Sequence, residues 1–217
     1  MYADWLKNEY DNWVNALNES TVNNFKEHSM VNRMLGEIEP ELFIDLLPDI
    51  DLTSFTELDN LGRAKKIPLS GTGMRMIFYA LKVLEINPKS IIEIGGGVGQ
   101  FYATLRLLGY AGEYFIQDLK EVKDFQYKYL KEVENGFDVS LLQLQMTEYD
   151  LCVSFYALGE FDDMTKKHYV DNVLPKCKKG FIVWNPHSGA NTQILFECEA
   201  RDEYPIMNEG NKILTWV

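Results

Sequence analysis

Ser90-Ile91-Ile92-Glu93-Ile94-Gly95-Gly96-Gly97-Val98-Gly99 sets an apolar run of strand length directly before four glycines in five positions. The run reads as a short buried strand. Glycines are needed where the backbone takes positive φ or passes close to a ligand. A helix beginning near Gln100 aims its free N–H groups at such a turn. Strand, glycine turn and helix in that order open an α/β sheet, and such sheets bind ligands outside the carboxyl ends of their strands.

The spacing of the glycines narrows the ligand. A dinucleotide fingerprint is G-x-G-x-x-G. Counting from Gly95, the third glycine falls on Gln100; counting from Gly97, it falls on Tyr102. A phosphate-binding P-loop needs a following Gly-Lys-Ser or Gly-Lys-Thr, which is absent. What stands here is acidic-x-G-x-G-x-G: Glu93, then Gly95, Gly97 and Gly99, with Gly96 between. That pattern resembles the first motif of the Rossmann-like S-adenosylmethionine-dependent methyltransferases, in which the glycines pass the methionine part of the cofactor. The next strand ends at Asp118, 19 residues beyond Gly99. A carboxylate there can accept both ribose hydroxyl hydrogens. Taken alone, Asp118 reads equally well as a helix cap ahead of Leu119-Lys120-Glu121.

Outward from the turn, strands and helices alternate. Helices are predicted over Met74–Leu84, ended by Asn87-Pro88, over Phe101–Leu108, ended by Gly109, and over Thr165–Leu174. Val122, Phe125, Tyr129, Leu130 and Val133 form one further helical face. Strands are predicted over Glu113–Gln117, Leu151–Phe155, Phe181–Trp184 and Lys212–Trp216. This alternation implies a mostly parallel sheet covered on both faces. The first seventy residues differ. Tyr2, Leu6, Trp13 and Leu17 recur at helical spacing, Glu41–Leu47 is a short helix between Pro40 and Pro48, and residues 51–70 read as irregular. The chain accordingly divides into a helical cap, 1–70, and a core, 71–217.

Composition bounds the function. The 217 residues are 46% hydrophobic and 25% charged, ordinary globular values. The net charge of −12, with only short basic clusters, argues against a nucleic-acid substrate. It fits a small neutral or cationic acceptor. No apolar run reaches the length of about 20 residues that a membrane span needs. Met1-Tyr2-Ala3-Asp4-Trp5 lacks the basic and apolar regions of a signal peptide. Three scattered cysteines, Cys152, Cys177 and Cys198, without a C-x-x-C pair, point to a reducing compartment, so a cytoplasmic location is expected. Asp118, Glu160, Asp162 and Asp163 are oxygen donors of the kind Mg²⁺ takes. Acidic residues near a helix start are common without metal, and none is predicted.

Three segments together resemble the sugar O-methyltransferase family within those methyltransferases. They are Ile91–Gly99, Tyr114-Phe115-Ile116-Gln117-Asp118-Leu119-Lys120-Glu121-Val122, and Tyr149-Asp150-Leu151-Cys152-Val153-Ser154-Phe155-Tyr156-Ala157-Leu158-Gly159-Glu160-Phe161. The terminal Asn211-Lys212-Ile213-Leu214-Thr215-Trp216 is also similar. The resemblance runs from about residue 58 to the end, with Phe155 where the family usually has Asn and Gly159 where it has Ser. It implies a Rossmann-like α/β sheet of seven strands with an antiparallel C-terminal strand. It implies S-adenosyl-L-methionine as cofactor, S-adenosyl-L-homocysteine as product, and a sugar or glycan acceptor such as a deoxyhexose. Implied cofactor contacts are Glu93, Gly95, Gly96, Gly97, Gly99, Asp118, Leu119, Ser154, Phe155 and Tyr156.

Methyl transfer to a hydroxyl is an in-line displacement, helped by alignment and by a base that takes the hydroxyl proton. Two candidates follow strands at the mouth of the sheet. Glu160 matches the family's glutamate, and it also reads as a carboxylate favoured near a helix start. His187 lies in the turn Asn185-Pro186-His187-Ser188-Gly189 and has a base's pKa range; an exposed loop histidine is the plainer reading. Arg75, at the start of the first core helix, is placed either to pair with the cofactor's carboxylate or to sit as a surface charge. Trp5, Trp13 and Phe25 suit packing over a sugar ring, and their helical spacing reads more simply as core packing. A small-molecule or protein methyltransferase, and a cofactor-binding scaffold without catalysis, stay open as alternatives.

Overall fold

The structure is a computed structural model that describes residues 4–35, 40–133, 147–186 and 194–217. Its centre is strand β1, Ser90–Ile94, all five residues of which are buried. Strands buried on both faces read as continuous apolar runs, and Glu93 is the one charged residue in this one. β2 (Glu113–Gln117) and β3 (Tyr149–Phe155) flank it, both parallel to it. With β4 (Cys177–Trp184), β5 (Glu199–Asp202) and β6 (Lys212–Trp216) the order is β2-β1-β3-β4-β6-β5. β6 runs antiparallel to both its neighbours, so the C-terminal strand reverses against an otherwise parallel sheet. This is a Rossmann-like α/β sheet, with six strands among the described residues. The chain leaves β1 toward β2 on one side and returns to β3 on the other. A crevice therefore opens at the carboxyl ends of β1 and β3, the place where such sheets take ligands.

The helices begin and end where local chemistry satisfies their free backbone groups. We number α1 (Asp4–Glu19), α2 (Ser29–Leu35), α3 (Glu41–Ile44), α4 (Thr53–Asn60), α5 (Gly71–Ile86), α6 (Gln100–Leu107), α7 (Lys120–Val133), α8 (Ala157–Glu160) and α9 (Asp163–Asn172). α5 starts three residues before its predicted Met74, because the Ser70 hydroxyl accepts the Gly73 amide at 3.1 Å as an N-cap. It closes on Asn87, left-handed at φ 54°, just before Pro88. Asp162 caps α9 in the same way, accepting from the Thr165 amide at 2.8 Å.

Two predictions are corrected, and one strand, β5, is added that the sequence reading does not propose. Residues 51–70 are not wholly irregular, because α4 lies within them. Asp51 starts that helix by accepting from the Thr53 amide and hydroxyl at 2.9 and 2.7 Å. α4 buries Phe55 and Leu58, too few apolar positions to show a period. β4 begins at Cys177, not Phe181, since its exposed Lys178 and Lys179 hide the strand in the sequence. β5 carries four exposed residues, Glu-Ala-Arg-Asp, at the sheet edge; such charged edges discourage unwanted pairing and leave no apolar signal.

Residues before 71 share the core of the sheet. One apolar cluster runs from Trp13, Leu17, Phe25, Phe43 and Leu58 into Tyr79, Phe101, Tyr129 and Val153. The Phe25 ring meets Phe125 and Tyr129 edge-on, with centroids at 5.1 and 5.7 Å. A buried ion pair joins the same elements. Lys26 donates to the Asp59 carbonyl at 2.7 Å and lies 3.8 Å from its carboxylate. Asp59 in turn accepts from the Ser70 amide at 3.0 Å and from the Gln100 side chain at 3.3 Å. Among the described residues no helix is long and apolar enough to cross a membrane.

Candidate functional site

The glycine turn meets the crevice. The Gly95 amide donates to Gln117 O at 2.9 Å, so the β1–β2 ladder extends one step into the turn. Gly95 has φ 73°, and a Cβ there would lie 2.2 Å from the Ala157 Cβ at the start of α8. Gly97, at φ 56°, would have its Cβ in open space, so bare backbone faces the cavity at this point. The Gly97 carbonyl accepts from Gln126 of α7 at 2.7 Å and its amide donates to Asp118 at 2.8 Å. The turn is thus fixed from two sides before any ligand arrives.

Two carboxylates lie beside it, Asp118 half-buried and Glu93 buried. One Asp118 oxygen takes the Gly97 amide and the other takes the Leu119 amide, each at 2.8 Å. This locks the carboxylate plane and leaves a further lone pair on each oxygen. Burial pushes Asp118 up to about 6, against the pull of those two amides and of Lys123. Glu93 is 3% exposed and accepts the Tyr114 hydroxyl at 2.8 Å. Burial pushes it up to about 8; the Tyr114 hydrogen bond opposes the shift and the charge of Asp118 adds to it. Such shifts mark places where a low-dielectric environment has been built around ionisable groups.

The opposite wall comes from the end of β3. Tyr156 is left-handed at φ 70°, a rare state for a residue with a side chain. Its amide donates to Val183 O at 2.8 Å and its hydroxyl donates to Glu203 at 2.5 Å. The Arg75 guanidinium lies 5.0 Å from the Tyr156 ring centroid. Phe155 packs between Phe101, at 4.2 Å, and Tyr79, at 5.3 Å. Glu160 ends α8 and accepts from the Asn185 side chain at 3.0 Å. A Cβ on Gly159 would stand 2.6 Å from the Asn185 carbonyl and 2.7 Å from its side-chain oxygen. The absence of a side chain at Gly159 is what lets Asn185 approach Glu160.

These groups border one cavity of about 930 Å³, a figure that includes its open mouth. Of the residues singled out in the sequence, Arg75, Glu93, Gly95, Gly96, Gly97, Asp118, Phe155, Tyr156 and Glu160 line it. Gly99 does not; it caps α6 at φ 91°, and its α-carbon faces Leu130 of α7. Leu119 contributes its amide to Asp118. Ser154 is fully buried, donating to Ile94 O at 2.9 Å and accepting the Leu158 amide at 3.2 Å, so it staples β1 to the start of α8. His187 lies outside the described residues.

Sequence reasoning missed several neighbours. Trp13, singled out above for packing over a sugar ring, does reach the cavity from α1; Gln100 and Phe101, not singled out as site residues, reach it from the first turn of α6. The glycine turn itself signals the latter two, because it aims that turn at the ligand. No signal points to Asn185 beside Glu160 or to Glu203 behind Tyr156. Among the described residues no three His, Cys, Asp or Glu side chains gather closely enough to hold a metal.

No protein-family model matches the sequence, and no curated protein matches it. Solved structures do resemble the fold. A proposed O-methyltransferase from Nostoc punctiforme superposes with a TM-score of 0.47 and 10% identity over 65% of this chain and 55% of its own. One from Klebsiella pneumoniae gives 0.46 and 16% over 86% of this chain and 99% of its own. The Bacillus cereus O-methyltransferase, solved with S-adenosylhomocysteine, gives 0.42 and 15% over 67% and 71%. The chain spans about half the length of the Nostoc protein. At these identities the likeness is one of fold alone.

Proposed function

We propose that this chain is an S-adenosylmethionine-dependent O-methyltransferase whose acceptor is a sugar hydroxyl. One observation carries the reading. The acidic-x-G-x-G-x-G turn folds so that Gly97 presents bare backbone to the cavity while its amide fixes Asp118 beside it. The free lone pairs of Asp118 suit a ribose diol, and Arg75 suits the methionine carboxylate. The cofactor, when bound, supplies a methyl group on a positively charged sulfur. The protein's task is to place an acceptor oxygen behind that methyl and to remove its proton.

Glu160 is the residue we assign to the proton, with Asn185 orienting its carboxylate; His187 is the second candidate. Two carboxylates against one guanidinium, namely Asp118 and Glu160 against Arg75, make the cavity unwelcoming to an anionic acceptor, while burial keeps Glu93 largely protonated at neutral pH. A neutral polyhydroxy compound suits it, and Trp13 offers an aromatic face of the kind sugars pack on. The net charge of −12 argues against a nucleic-acid acceptor, and the scattered cysteines suit the cytoplasm.

Calorimetric titration with S-adenosylhomocysteine should give a micromolar Kd, and Asp118→Ala should weaken it at least tenfold. Failure of the wild-type protein to bind overturns the reading. A labelled-methyl screen against glycosides, peptides and small metabolites then separates the sugar acceptor from the alternatives. With the accepted substrate, Glu160→Gln is expected to lower kcat by about 10²–10⁴ while leaving the S-adenosylhomocysteine affinity within a few-fold. A variant that changes only stability, with transfer intact, removes Glu160 as the base.

A further inference from the structure

We propose that Glu203 is a positioning residue for the cofactor pocket, holding Tyr156 and through it Arg75. The inference rests on the reading of the cavity as a methyl-donor site. Glu203 follows β5, far from the glycine turn in sequence, yet it is fully buried behind the pocket wall. One of its oxygens accepts the hydroxyls of both Tyr156 and Tyr79, each at 2.5 Å. The other accepts the Asn211 side chain at 2.7 Å and the Met207 amide at 3.2 Å. The Glu203 amide donates to Asn211 O at 3.1 Å, closing the β5–β6 connection on itself. A buried carboxylate is tolerated only when its oxygens are filled with well-placed donors, and these four fill them.

The geometry says what the carboxylate does for the pocket. Tyr156 lines the cavity with a left-handed backbone, a conformation that persists only where the surroundings hold it. Its amide is tied to β4 and its hydroxyl to Glu203, so the ring is pinned at both ends. That ring is the surface on which the Arg75 guanidinium lies, and Arg75 also lines the cavity. Tyr79, on the same oxygen, stacks on Phe155 of the same wall. The β5–β6 connection thus sets the ring on which the carboxylate-binding arginine rests. Loss of the anchor frees the ring to rotate and takes the platform from Arg75.

The test compares two ligands by calorimetry: S-adenosylhomocysteine, which carries the amino-acid carboxylate, and 5′-methylthioadenosine, which lacks it. Glu203→Gln keeps the shape of the side chain and loses its charge. It is expected to weaken S-adenosylhomocysteine at least tenfold and methylthioadenosine less than threefold. Tyr156→Phe deletes the one hydroxyl and leaves Glu203 its other donors, so it remains informative if Glu203→Gln fails to fold; the same selective loss is expected. The double variant should lose little more than either single one. Unchanged affinity for both ligands in a folded variant with a lower Tm overturns the positioning role. Equal weakening of both ligands also overturns it, since the effect then does not pass through Arg75. Failure of the wild-type protein to bind either ligand overturns the cofactor reading and this inference with it.

Discussion

Asp59→Ala is expected to destabilise the folded chain by about 3–5 kcal/mol, because it leaves the Lys26 ammonium buried without its counter-charge. Lys26 and Asp59 have side chains only 1% exposed. The carboxylate also accepts from the Ser70 amide and the Gln100 side chain, which lose an acceptor at the same time. For a domain of this size the loss corresponds to a fall in Tm of roughly 6–20 °C. Burial pushes Lys26 down to about 8, with Asp59 pulling the other way. Without Asp59 the value falls further, so the variant sheds this proton at a lower pH than the wild type and regains stability sooner as pH rises. The gap between the two should therefore be wider at pH 6 than at pH 9. Urea unfolding at both pH values measures it, and a gap below about 1 kcal/mol at pH 6 sinks the argument. The pair Lys26→Met with Asp59→Leu should recover the part of the loss due to the stranded charge, but not the part due to the Ser70 amide and the Gln100 side chain, which still lack an acceptor.

That pair also shows where the sequence stops being legible. The strands nearest the site are apolar runs of strand length, and β1, β2 and β6 lie at their predicted bounds. The glycine turn was readable because chemistry demands bare backbone at fixed spacing, and Asp118 because a strand end places it. Lys26, Asp59 and Glu203 give no such sign. Each is a charged residue in a segment without a clear period, and a lone charge reads by default as solvated surface. Their burial follows from what packs over them: the Phe25–Glu27 turn and the starts of α5 and α6 over Asp59, and the β5–β6 connection over Glu203. Those are long-range facts of the fold that no local window holds. Ser154 fails in the opposite direction. It stands in a segment that resembles a cofactor motif, yet its hydroxyl is consumed by Ile94 and Leu158.

Glu93 is expected to make the unliganded protein lose stability as pH rises from about 5 to 8, and Glu93→Gln should abolish most of that loss. The carboxyl is 3% exposed, and burial lifts it from 4.5 in the open chain to about 8 in the fold. Between those two values the folded state holds a proton that the unfolded state has released. Unfolding then releases a proton, so stability falls with pH through the window, by up to about 1.4 kcal/mol per pH unit. Asp118, lifted to about 6, adds a slope of the same sign at the acid end. The wild type should accordingly lose on the order of 3 kcal/mol more than Glu93→Gln between pH 5 and pH 8. Glutamine keeps an oxygen for the Tyr114 hydroxyl and removes the charge, so it isolates the titration from the packing. Urea unfolding at pH 5, 6.5 and 8 without ligand gives the two profiles, and parallel profiles refute the assignment. The same two carboxyls explain why a cationic donor suits the cavity. A positive charge beside them favours their ionised forms, so S-adenosylmethionine binding near pH 7 should release protons that S-adenosylhomocysteine, lacking the sulfonium charge, releases in smaller number. Calorimetry in two buffers of different ionisation enthalpy counts them, and equal counts for the two ligands would place the sulfur away from Glu93 and Asp118.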